Sequence, residues 1–160
     1  MQARTLSNAD RAFTLVEILI VVVILGILAA IVVPRLTGAT QDAQIGAFIA
    51  SIKTYADTSE YYNAREGRYP VDGSSGVVPA GMETYVDPDE WIAGTPMGGV
   101  WDTEFMDSGI TAGVGVHFNG AVNPGDAVMI LVDERFDNGD LASGHFQKLG
   151  ADRYYYVLQQ

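Results

Sequence analysis

An α+β fold, one long N-terminal helix packed on a small antiparallel sheet, is what this sequence predicts. Three observations carry the expectation. Residues 13–33 are apolar almost throughout, and residues 45–62 repeat apolar side chains at spacings of three and four. Beyond residue 100, short β-branched and aromatic runs alternate with turn-forming Gly, Asn and Pro. At 160 residues the chain has room for an anchor and one small domain.

Residues 1–12 are polar and weakly basic, with Arg4 and Arg11 against Asp10. The apolar run that follows, residues 13–33, holds one acid, Glu17, and no basic residue. As a helix it is about 31 Å long, the hydrocarbon thickness of a bilayer. Arginines before the span and an acidic excess after it place the N-terminus in the cytoplasm and the rest outside it. An ordinary secretory signal peptide fits less well, because the apolar core is too long and no small-x-small site ends it.

Residues 34–66 read as the amphipathic half of the same helix. Ile45, Phe48, Ile49, Ile52, Tyr55, Ala56, Ser59 and Tyr62 form one stripe, with Asp42, Lys53, Asp57, Glu60 and Asn63 mostly off it. Gly67 and the extended Tyr69-Pro70 step end the helix. Residues 67–160 form the head. Residues 71–99 hold many Gly and Pro and predict an irregular connection with at most a short helix near Met82 to Tyr85. Strands are predicted at 100–105, 114–118, 127–132 and 153–158, giving a sheet of three to four strands with turns at Asn123-Pro124-Gly125 and Asp137-Asn138-Gly139.

Charge and cysteine content narrow the function. From residue 34 onward seven basic residues face eighteen acidic ones, which argues against a nucleic-acid surface and suits a hydrated exterior domain or one that binds hard cations. Without cysteine there is no disulfide, thiolate metal site or thiol nucleophile. His117 and His145, the only histidines, stand in no ligand or catalytic spacing; His117 reads as a strand residue and His145 as a loop residue. Trp91 and Trp101, near Asp89, Glu90 and Asp102, could line a sugar platform, but core and turn positions are the commoner use. The residues point to no enzyme.

The stretch Ala12-Phe13-Thr14-Leu15-Val16-Glu17, opening the apolar run, resembles the prepilin-type cleavage and methylation motif of the type IV pilin and pseudopilin family. That resemblance implies the pilin fold, removal of residues 1–12 by a prepilin peptidase between Ala12 and Phe13, and N-methylation at Phe13. It also implies assembly into a filament through Phe13 and Glu17. With Phe13 as first mature residue, Glu17, Gly26 and Pro34 fall where the family has the same residue types; Ala12 stands where Gly is usual. An ionised carboxylate in hydrocarbon costs about 2.5–3.5 kcal/mol on insertion scales, so Glu17 either snorkels to the interface or meets the amine of a neighbouring subunit. Gly26 and Pro34 weaken the helix, Gly26 by about 1 kcal/mol relative to Ala.

Within the family, Tyr61-Tyr62 followed by Gly67-Arg68-Tyr69-Pro70 looks like the major pseudopilins of type II secretion. That branch implies a periplasmic pseudopilus anchored in the bacterial inner membrane, and as partners further copies of the chain, minor pilins or pseudopilins, an inner-membrane assembly platform and lipid. A type IV pilin for adhesion, motility or DNA uptake is the alternative, and a monomeric membrane-tethered binding domain is the alternative of another class. The same resemblance implies bound calcium. Here Asp133, Asp137, Asn138 and Asp140 form a candidate Ca²⁺ loop, weighed against a plain hairpin turn on Asn138-Gly139.

Overall fold

The computed structural model describes residues 14–160, and of residues 33–37 the backbone alone. It contains helix α1 (Leu15–Glu66), the short helix α2 (Pro88–Ile92), strands β1 (Val100–Asp107) and β2 (Ile110–His117), helix α3 (Asp126–Phe136), and strands β3 (Phe146–Gly150) and β4 (Arg153–Gln159). One unit of the chain ends at Thr40 and a second comprises Gln41–Gln160.

In the first unit, α1 shows exposed apolar side chains from Leu15 to Val32, a stretch long and apolar enough to cross a membrane. The backbone stays helical through Gly26 and position 34. In the second unit the predicted stripe is the core face of α1. Ile45, Phe48, Ile52, Tyr55, Ala56, Ser59 and Tyr62 are buried and Ile49 is half-buried. Gly67, at φ +73°, terminates the helix in a conformation that a side chain disfavours.

The sheet is antiparallel in the order β1-β2-β4-β3. Strands β1 and β2 turn through Ser108 and Gly109, both at positive φ, the pair of left-handed residues that suits the right-handed twist of a two-residue hairpin. Along β1 the alternation sends Trp101 toward α1, where it stacks on Phe48 at 5.5 Å and meets Tyr55 edge-on at 4.9 Å. Trp91 of α2 closes on Tyr55 at 4.9 Å, so both tryptophans are core residues. Burying each such ring is worth about 1.5–3 kcal/mol, and this aromatic layer joins α1 to the sheet.

Three expectations are corrected. Residues 127–132, predicted as a strand, lie within α3. An unbroken apolar run carries no period of its own, and the deciding fact is which side is covered. Met129, Val132 and Asp133 are buried and Phe136 is half-buried, a helical spacing that caps the core. The Asp137-Asn138-Gly139 turn therefore links a helix to β3 and is not a hairpin between strands. The position allowed at most a short helix, near Met82 to Tyr85, is a turn, with the Tyr85 and Val86 amides bonded to the Met82 carbonyl, and the short helix follows it at Pro88.

Candidate functional site

The head of α1 is closed by a reciprocal cap. Thr14 donates its backbone amide (2.8 Å) and its hydroxyl (2.9 Å) to Glu17 Oε2, and the Glu17 amide donates to Thr14 Oγ1 at 3.2 Å. Thr-x-x-Glu is the capping-box pattern, in which residues three apart satisfy each other's free amide groups. The sequence carried that signal at Thr14, whose role the reading above missed. Glu17 is thus held at the mouth of an apolar helix by its own chain. Ala12 and Phe13 lie outside the described residues.

The acidic loop after α3 is closed largely by its own donors. Asp137 Oδ2 accepts the amides of His145 and Phe146, Asn138 Oδ1 accepts the Asp140 amide, and Asp140 accepts the Ala142 amide and the Ser143 hydroxyl. Asp133 differs. It is fully buried, and neither of its carboxylate oxygens makes a hydrogen bond. Burial first, then the neighbouring Asp137 charge, push its pKa up; the amides of Asn138, Gly139 and Asp140 face it and pull the other way without closing to hydrogen-bond geometry.

A second polar site covers the sheet face opposite α1, and nothing in the sequence singled it out. Residues Asp102, Gly115 and Tyr155 lie side by side across β1, β2 and β4. A Cβ on Gly115 would sit 2.2 Å from the Tyr154 carbonyl oxygen and 2.8 Å from the Tyr155 ring, so this glycine makes the space the ring crosses. The Tyr155 hydroxyl then reaches Asp102 Oδ2 at 2.7 Å, and the Ser75 hydroxyl reaches the same oxygen at 2.8 Å. Burial, followed by the Asp102 charge, drives the Tyr155 pKa well above the usual phenol value. Arg153 bonds Glu104 Oε1 from β4.

Ser75, His117 and Asp152 bring the residue types of a hydrolytic triad together. His117 Nδ1 is 2.8 Å from Ser75 Oγ, and Nε2 is 3.3 Å from Asp152. Ser75 donates to the Asp102 carboxylate and meets His117 at Nδ1, so Asp102, Ser75, His117 and Asp152 form one continuous polar chain. The group is a structural network tying the loop after α1 to the sheet. His145 stacks on Tyr156 with ring centroids 5.3 Å apart.

Residues 7–33 match the family model described as the prokaryotic N-terminal methylation motif. The chain is similar to the type II secretion system core protein G of Pectobacterium carotovorum subsp. carotovorum, 40% identical over 61 residues, or 38% of this chain and 39% of that protein. The protein of the same name in Pseudomonas aeruginosa is 43% identical over 58 residues, 36% of this chain and 41% of the relative. For that of Escherichia coli K12 the figures are 31% over 81 residues, 51% and 52%. The matches thus span about half or less of the length of these relatives. No solved structure matches.

Proposed function

We propose that this chain, prepilin-like at its N-terminus, is a structural subunit that polymerises into the pseudopilus of a type II secretion system. The observation that carries the reading is the methylation motif over residues 7–33, running into a helix whose later half is seated on a four-stranded antiparallel sheet. Relatives named core protein G of that system support it. Residues 1–12 are the leader, removed between Ala12 and Phe13 by a prepilin peptidase that also methylates Phe13. The apolar part of α1 anchors the subunit in the inner membrane, N-terminus cytoplasmic and head outside, until the assembly platform draws it into the filament.

The capping box gives Glu17 its part in this scheme. It holds the carboxylate at the helix mouth, where the freed amine of a neighbouring Phe13 can take it over. Breaking one partner of such a buried pair costs about 3–5 kcal/mol. Glu17→Ala is therefore expected to leave the protein inserted and processed while abolishing short periplasmic filaments in electron micrographs, with mass and N-terminal sequence of the membrane-extracted wild type reading a methylated Phe13. An intact Met1 end, or normal filaments from Glu17→Ala, would overturn the scheme. Long surface fibres would move the protein to the type IV pili.

The loop after α3 holds Ca²⁺ in this reading. Asp133, buried beside Asp137 with neither oxygen hydrogen-bonded, is the group that a divalent cation would satisfy; Asp137, Asn138 and Asp140, whose side-chain oxygens accept amides within the loop, would join it. Bound there, the cation supplies charge neutralisation in a chain without disulfides. Asp133→Asn should remove one bound Ca²⁺ per chain in a direct titration. Unchanged stoichiometry would dismiss the loop as a site.

A further inference from the structure

Acid gathers on the sheet face opposite α1 beyond what its own cation offsets. Buried charges are tolerated when paired or when they ligate a metal. Here Glu104 is 1% exposed; its Oε1 is held by Arg153, while its Oε2 is buried and accepts no hydrogen bond. Carboxylate oxygens of Asp72, Glu104 and Asp107 lie within 4.8 Å of one another. Asp102, close by, is already satisfied by the hydroxyls of Tyr155 and Ser75 and is 4.0 Å from Arg153. Arg153 thus serves several carboxylates at once.

We propose that Asp72, Glu104 and Asp107 hold a hard divalent cation of the Ca²⁺ class, at a site separate from the loop after α3. The donors are all carboxylate oxygens, which selects hard cations over zinc or copper. Glu104 supplies a carboxylate oxygen from a side chain that is itself buried, and Asp72 and Asp107 supply theirs from exposed positions. Burial first, and then its acidic neighbours, push the pKa of Asp72 up; burial and the Asp72 charge do the same to Glu104 against the pull of Arg153. A divalent ion relieves both. Its structural effect follows from the chain positions. Asp72 lies in the segment after α1, and Glu104 and Asp107 lie on β1, an edge strand of the sheet. The cation therefore pins that segment over the edge, where the Thr103 hydroxyl already bonds the Val71 carbonyl and the Gly76 amide bonds the Trp101 carbonyl.

The test uses the full chain in detergent with Ca²⁺ as the probe, in an Asp133→Asn background so that the loop after α3 cannot answer for it. That variant should still bind one Ca²⁺ per chain and gain on the order of 10 °C in Tm at a hundredfold excess over Kd. Adding Asp72→Asn and Asp107→Asn, both at exposed positions, should abolish binding and the Tm gain while leaving the chelated protein folded, as read by circular dichroism. If Asp133→Asn binds no Ca²⁺, or the triple variant binds it unchanged, the site does not exist.

Discussion

Asp133 has no access to water and no hydrogen-bond partner for either side-chain oxygen. Its folded-state pKa is raised above the ordinary 3.8, so its contribution to stability is fully present below that value and is lost as pH rises through the folded pKa. With Ca²⁺ chelated, Asp133→Asn is therefore expected to stabilise the protein at pH 7 by about 1–3 kcal/mol, because an amide can offer its carbonyl to the facing N–H groups without burying a charge. The advantage should shrink as pH falls, since the wild-type group protonates and recovers what the variant already has. Urea melts at pH 7 and pH 3 check it; an advantage that grows on acidification would show that the facing amides, not burial, govern the group. Asp126 shows the opposite sign. Bonds from Lys148 and Tyr154 hold its carboxyl below the usual range, so its share of stability is present above 3.8 and lost as pH falls through the lowered value.

Among the elements, β2 shows how a sequence of small residues sets a side chain elsewhere. Gly113 and Gly115 alternate with Val114 and Val116, so one face of the strand is bare and the other fills the core. The bare face lets the Tyr155 ring lie across the strand to Asp102. An added methyl at Gly115 would meet backbone, the Tyr154 carbonyl at 2.2 Å and Tyr155 Cα at 2.6 Å, neither of which can swing away. At Gly113 the nearest atom is the end of the Ile110 side chain at 2.7 Å, which can. Gly115→Ala should destabilise by about 3 kcal/mol or more and Gly113→Ala by less, measured by urea unfolding. Equal costs would mean that the crossing of Tyr155 is not what requires the glycine. Helix α3 teaches a related lesson: its sequence, Asp-Ala-Val-Met-Ile-Leu-Val, satisfies strand and helix patterns alike.

Across the whole molecule, the sequence by itself determined the long helix, its change from an apolar to an amphipathic half, the stop at Gly67, and the strands β1, β2 and β4. Those features are local. Period, breaker residues and β-branched runs act within a few residues of where they are written, and the stripe from Ile45 to Tyr62 is buried as its spacing requires. The motif matched over residues 7–33 was equally legible because such a match depends only on order along the chain, although the Thr14 cap within it was passed over. Only the tertiary structure decided that residues 127–132 coil into a helix and that the short Phe146–Gly150 run pairs with β4 to complete the sheet. It alone brought Asp72 to Glu104 and Tyr155 to Asp102. Those outcomes depend on which surface is left to cover, and on residues dozens of positions apart. No local pattern can express that, because the free energy that selects it comes from burial shared between segments.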